Sequence, residues 1–443
     1  MMKRLLIIFF LFIPVIAAAQ VYTLQQCIDM ALKNSYELKN SQLDQQIADQ
    51  TKKELFTKYF PSVSANGATF RSSEYMVNSS VDLSILAPLL GALGINPAVL
   101  AGMPLSIPVE MVKEGTIGFV SATQPVFAGG QIYNGNKLAA VGREVSALKA
   151  SLTEDEITSK TEEYYWQIVS LKEKQKTIDT AMVQLAELHK SVSAAVEAGL
   201  VTRNDLLRVE LEQQNTESNK VRLNNNIKLL RLLLSNLTGV PAEGFDIDIT
   251  ELPEVKPPLG YYMNTDEAVA SRTESRLLEK GVEAASLRHK LAIGKHLPAI
   301  AAGAGYAYHN LLDKDEEFGM IFATVSIPIS SWWGGSHEIK RSRLEEMKAE
   351  NTRLNVEQNL AVDIESKWNN LQESYLQTQI AGKSIESAEA YLKISRDYYD
   401  AGTIPLTDLL NARTQFQKSR DKQTDSCTDY YLKLSAYLKA TGR

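Results

Sequence analysis

The sequence has only two cysteines in 443 residues, Cys27 and Cys427, so no disulfide framework holds the fold. A positive surplus is also missing. Lys and Arg number 47 against 53 Asp and Glu, a formal net charge of −6, which argues against a nucleic-acid binder. The five histidines, His189, His289, His296, His309 and His337, show no metal-ligand spacing. No phosphate loop, nucleophile elbow or paired-cysteine site occurs, so neither catalysis, a metal nor a cofactor is expected. Long apolar runs are scarce. Lys3-Arg4, the run Leu5 to Ile16 and Ala17-Ala18-Ala19 have the three parts of a secretory signal peptide, which sets residues 1–20 apart and predicts export. Ile85 to Leu105 carries no charge over 21 residues, long enough to span a membrane, but Pro88, Pro97, Pro104 and three glycines argue against a helix. Leu24-Gln25-Gln26-Cys27 is a faint lipobox with glutamines where small residues belong. Cys27 falls on the apolar stripe of an expected helix, where a buried thiol is the plainer reading.

Repetition is what the chain has in abundance. Ala198-Gly199-Leu200-Val201-Thr202-Arg203-Asn204-Asp205-Leu206-Leu207 returns as Ala401-Gly402-Thr403-Ile404-Pro405-Leu406-Thr407-Asp408-Leu409-Leu410. A helix is expected from Thr23 to Lys58 and again from Thr265 to Lys295, each ending just before a proline, Pro61 or Pro298, at an offset of 237. Strand-like alternation follows both prolines, and a second strand in each half ends near Pro125 and Pro328, at an offset of 203. The difference places 34 extra residues between the strands of the first half.

After Gly129-Gly130 and Gly334-Gly335 come helices expected over Gln131 to Ala198 and Ser336 to Asp400, each about 100 Å long at ~1.5 Å per residue. Positions 157, 161, 164, 168, 171, 175, 178, 182, 185, 189, 192 and 196 step by fours and threes and are apolar at nine of twelve. Shifted by 203, the register runs from Leu360 to Tyr399. Such spacing is a coiled-coil seam, present twice. The domain reading is therefore a first repeat over 21–239, with strands about 61–71 and 115–127 and an insertion at 72–114. A Pro-rich linker over 240–264 follows, then a second repeat over 265–443 with strands about 298–309 and 318–331. Each half is helix, strand, strand, long helix, sharp turn, helix.

Four strands cannot close a membrane barrel, and lipid does not tolerate open sheet edges. The strands therefore point either to oligomerisation or to no membrane role. Three chains would supply twelve strands. Tyr306, Tyr308, Phe318, Phe322, Trp332 and Trp333 near the strand ends suit an interfacial aromatic girdle, although a soluble sheet would also hold them.

The chain resembles the TolC-like outer membrane efflux family over nearly its whole mature length. The residues that carry the likeness are Thr23-Leu24, Ala31-Leu32-Lys33-Asn34, Glu37-Leu38, Phe60-Pro61-Ser62, Pro125-Val126-Phe127-Ala128-Gly129-Gly130 and the two Ala-Gly…Asp-Leu-Leu turns. The resemblance implies an α+β membrane protein: a homotrimer whose twelve-stranded barrel in the outer membrane is continuous with a periplasmic α-helical coiled-coil barrel. It further implies passive export, as the exit duct of a tripartite efflux pump working with a periplasmic adaptor and an inner-membrane transporter. A type I protein secretion duct is the alternative, and from another class, a periplasmic coiled-coil adaptor without a pore.

By that resemblance the two turns are the periplasmic tips. Gly199, Leu200, Val201 and Thr202, with Gly402, Thr403, Ile404 and Pro405, are the expected adaptor-docking residues; helix ending and capping explain much of the same pattern. Asp205, Tyr399 and Asp408 are the expected periplasmic gate, although each acid also complements its helix dipole. Ile404 and Asn411 replace an arginine and an acid of the family pattern, so closure is expected to rely more on packing than on a salt link.

Overall fold

The computed structural model describes residues 20–82, 92–93, 106–243, 245–248, 254–311, 314–329 and 331–443. The expected signal peptide up to residue 19, and most of the uncharged run 85–105, lie outside the described residues.

The chain runs β1 (Gln20–Tyr22), α1 (Leu24–Asn34), α2 (Tyr36–Thr57), β2 (Ser62–Arg71), β3 (Val77–Asp82), β4 (Ser106–Met111), β5 (Glu114–Ala128), α3 (Gln131–Glu197) and α4 (Arg203–Thr238). It continues through β6 (Phe245–Ile247), a 3-10 turn (Pro258–Tyr261), α5 (Thr265–Ser271), α6 (Thr273–Gly294), β7 (Ala299–Asn310), β8 (Asp315–Ser326), α7 (Ser331–Asp400) and α8 (Leu406–Ala440). Among the described residues no helix is long and apolar enough to cross a membrane.

Two expectations need correction, and two further segments hold regular structure that the sequence did not assign. The helices expected over 23–58 and 265–295 are each two helices, broken at Ser35 and Arg272, which are themselves 237 residues apart. At the first break the Ser35 hydroxyl accepts the Leu38 backbone N–H at 3.3 Å, and so caps α2. At the second, extended backbone lets the buried Arg272 bind Glu274 and, at 3.1 Å, Asp363 of α7. The last strand does not reach residue 331. It ends at Ser326, ahead of Pro328, whose ring nitrogen has no hydrogen for a ladder, and α7 takes Gly334-Gly335 into its first turns. The linker 240–264 is not wholly irregular. Phe245 and Ile247 alternate into the core while Asp246 turns out to Lys172 and Arg231, so the segment pairs with β1 as a parallel strand. The insertion 72–114, too, holds regular structure: β3 and β4 pair antiparallel.

Two compact units divide the chain. One takes in Met1–Ile47, Arg143–Val282 and Ala349–Arg443; the other takes in Ala48–Gly142 and Glu283–Lys348. The core of the first unit is the duplicated seam. All twelve seam positions of α3 and all twelve of α7 are buried or half-buried, and none is exposed. Ile168, Leu234 and Cys27 share one cluster with Trp166 and Phe245. Its counterpart joins Leu371, Tyr437 and Ala268 to Ile364, Trp368 and Tyr430. Leu371 lies 203 residues after Ile168, and Tyr437 the same distance after Leu234. Burial pushes the Cys27 thiol up to about 12, so it stays a protonated apolar group.

The second unit holds a four-stranded antiparallel sheet in the order β2-β5-β7-β8. The hairpins of the two halves join where Ser121 pairs with Gly305 and Val120 with Tyr306. A register shift between Pro125 and Phe127 follows from the missing proline N–H. Among the described residues, β2 and β8 each pair along one side only. Tyr306 and Phe318 are exposed toward one end of the sheet, and Phe60, Phe127 and Trp333 at the other.

Candidate gate and docking tips

Each tip is a Schellman turn followed by a helix start. At the first, Gly199 takes φ +69° and donates to Val196 O at 3.0 Å, while Leu200 donates to Ala195 O at 2.9 Å. At the second, Gly402 takes φ +71° and donates to Tyr399 O at 2.9 Å, with Thr403 to Tyr398 O at 2.9 Å. Both glycines hold the left-handed conformation that closes such a turn, and a side chain would strain it.

The helix starts differ. Thr202 opens α4 with a capping box: the Asp205 amide donates to Thr202 Oγ1 at 3.3 Å, and Thr202 N donates to Asp205 Oδ2 at 3.1 Å. Pro405 opens α8 as the cap residue itself, with no side-chain bond.

One apolar cluster ties the tips together. Val192, Val209 and Leu406 are buried in it, with Val196, Val201 and Tyr399 packed against them. The expected docking residues therefore split. Leu200 is 79% exposed, and Gly199, Thr202, Gly402, Thr403 and Pro405 are also exposed, whereas Val201 and Ile404 are half-buried. Leu406, at 4% exposure, is the anchor that sequence reasoning missed. The signal was available, since Leu406 sits 203 residues after Arg203 and replaces a charge with an apolar group.

The three expected gate residues are unequally placed. Tyr399 is half-buried; burial, then the charges of Asp205 and Asp400, raise its phenol above the usual value. Asp205 gives its carboxylate to Thr202, whose hydroxyl lies 2.7 Å away, rather than to Tyr399. Asp408 is exposed. A further charged group lies nearby that the sequence did not single out. Arg413 Nη2 donates to Gln184 Oε1 at 3.0 Å and Ala181 O at 3.3 Å, so it spans from α8 to α3. Burial and the neighbouring Arg396 lower its affinity for the proton. Its repeat equivalent, Glu210, instead lies 3.5 Å from His189 on the seam.

The other histidines do not gather. His289 lies 2.9 Å from Ser342, His296 3.3 Å from Glu338 and His309 3.7 Å from Glu316. Among the described residues no group of three possible metal ligands occurs.

A duplicated helical hairpin with an open four-stranded sheet is the fold of solved outer membrane channels. The chain is similar to VceC of Vibrio cholerae at 14% identity and a TM-score of 0.77, covering 95% of this chain and 96% of that one. It is similar to CmeC of Campylobacter jejuni at 15% identity and 0.74, covering 95% and 85%. MtrE of Neisseria gonorrhoeae matches at 13% identity and 0.67, covering 96% and 92%. No curated protein sequence gives a significant match. Residues 265–443 match the family model "Outer membrane efflux protein". Over 95% of its length the chain thus has the fold of those channels, and residues 265–443 carry the sequence pattern of that family.

Proposed function

We propose that three copies assemble into the exit duct of a tripartite efflux pump. The observation that carries this reading is the open sheet. Strands of 10, 15, 12 and 12 residues are long enough to cross the outer membrane when tilted, yet β2 and β8 each have a free side. Lipid excludes such edges, so closure needs other copies, and three sheets make an even barrel of about twelve strands. The paired faces support it: Ala122, Ala304 and Ile321 line up on one face, with Ile321 91% exposed. Apolar side chains left bare on a sheet face suit acyl chains.

The tips then meet a periplasmic adaptor coupled to an inner-membrane transporter, with Leu200 as the most exposed apolar contact at the loop. Tyr399, Asp205 and Asp408 form the gate, and packing around Leu406 holds it shut. The duct is passive and moves small molecules, with the energy supplied by the transporter.

Membrane fractionation and unboiled gel mobility test the assembly. A heat-sensitive trimer in the outer membrane is expected, and a soluble monomer would overturn the reading. Reconstituted Tyr399→Phe or Asp408→Ala is expected to conduct more than the unaltered protein. Unchanged conductance in both would remove these residues from the gate.

A further inference from the structure

The second face of the sheet differs between the two halves of the chain. Register places Ser62, Ser64, Ser121 and Thr123 together on it, all from the first repeat, with Ser64 and Ser121 hydroxyls 3.2 Å apart. In the same cross-strand rows the second repeat supplies Gly303, Gly305, Met320 and Phe322. The next row adds Asn66 and Phe119 from the first repeat and Ala307 and Phe318 from the second. In the first two rows one side of this face is hydroxyl-bearing and the other is apolar and aromatic.

The aromatic side depends on two glycines. A Cβ at Gly303 would stand 2.4 Å from the Phe322 ring, and one at Gly305 would stand 2.7 Å from the Phe119 ring. Both rings therefore lie across bare backbone, close against the sheet. Any larger residue at 303 or 305 forces them up, away from it. Steric support of the strands would explain a ring over a glycine. It does not explain why the hydroxyls stay over β2 and β5 while the rings, Phe119 of β5 leaning onto Gly305 of β7 and Phe322 of β8 onto Gly303, cover the second repeat's strands.

We propose that this face lines the bore and acts as an amphipathic track for cargo. Three strips of Phe119, Phe318 and Phe322 alternate with three hydroxyl strips, and the apolar strips hold planar aromatic solutes in transit. The proposal rests on the barrel reading above. It assigns the hydroxyl-bearing face to water because the opposite face has Val63, Val120 and Val325 exposed where this one has serines and threonines. A ring stacked on an aromatic solute gains on the order of 0.5–1.5 kcal/mol beyond burial, enough to slow passage without trapping.

The test is single-channel recording on the reconstituted full chain, with acridine orange as the planar aromatic probe. Tetraethylammonium, a cation without rings, is the control, and each is added to either side of the bilayer in turn. For the double variant Phe119→Ala/Phe322→Ala, the acridine orange concentration giving half-block is expected to rise about fivefold or more. Block by tetraethylammonium and conductance in potassium chloride stay close to those of the unaltered protein. Gly303→Ala is expected to lower conductance by lifting the Phe322 ring; should it fail to assemble, the double variant still decides. Equal acridine orange block of unaltered and double-variant trimers would overturn the proposal and leave the duct reading intact. An unaltered protein that forms no channel would instead defeat the duct reading.

Discussion

Helix α8 makes two kinds of contact in the first unit, and they differ in chemistry along most of their length. Against α7 it is apolar and aromatic. Trp368 meets Tyr437 at 5.0 Å between ring centres, Tyr375 meets Tyr430 at 6.3 Å, and Ile364, Leu371 and Ala440 fill the rest. Among the described residues no ion pair joins α8 to this part of α7. Against α3 it has one stack, Trp166 on Tyr431 at 4.7 Å, and an apolar end where Leu406 joins Val192, with polar groups between and beyond them. Lys439 donates to Ser159 and Ser435 to Glu162; Ser170 and Lys174 donate to Asp425, and Arg413 to Gln184. The seam within a hairpin is made of groups that water would expel. Away from that stack and the tip cluster, the contact between hairpins is made of groups that water can replace. Over that polar stretch, parting the hairpins is expected to cost less than opening one.

Trp368→Ala should break the comparison most visibly. Removing a side chain that is 7% exposed and packed on Tyr437 is expected to cost about 3–5 kcal/mol, read as a lower denaturant midpoint for loss of helix. Arg413→Ala removes two charge-assisted bonds to α3 and is expected to cost about 1.5–3 kcal/mol. Hydrogen exchange should localise that loss to residues around Gln184 and leave α7 protected. An equal loss in α7 would mean the two contacts are one unit. Lys174→Ala at the part-exposed pair with Asp425 is expected to cost only about 0.2–1 kcal/mol, measured as a coupling energy with Asp425→Ala.

The smallest effect is one of pH. Asp421 has one carboxyl oxygen buried without a partner. Burial raises its pKa to about 6, with Asp425 pushing it further up and Lys174 and Arg420 pulling it down. The packed form thus binds the proton more tightly than the unfolded chain does. Its contribution is full below about 4, and is lost as pH rises through about 6. Burial shifts Glu162 and Asp155 upward too, on the same polar contact. Hydrogen-exchange protection along α3 and α8 should therefore increase from pH 7.5 to pH 5, and Asp421→Asn should flatten that rise. A protection profile independent of pH would remove the carboxyl from the contact.

Much of the architecture was legible in the chain. The alternating fours and threes of α3 and α7 predicted burial at every seam position, because a long two-helix contact demands that period. The doubled Ala-Gly turn predicted left-handed glycines, because few other residues end a helix that way. The break at Arg272 was not legible, because its cause is Asp363, 91 residues away. Nor was β6, three residues long, since only its partner β1 and the cluster around Leu234 make a strand of it. Among the tip residues, exposure was readable for Leu200 but not for Val201, whose neighbours come from both repeats.

Sequence by itself determined the duplication, the order of the long helices and of the strand pair in each half, the seams and the two turns, because each is a local or periodic property of the backbone. Tertiary structure alone decided that the hairpins of the two halves join through β5 and β7, which leaves the free edges to β2 and β8. It also decided that α8 faces apolar rings on one side and exchangeable polar partners on the other. Both outcomes depend on which segments meet across some 200 residues of chain, and burial at that range is set by packing rather than by local preference.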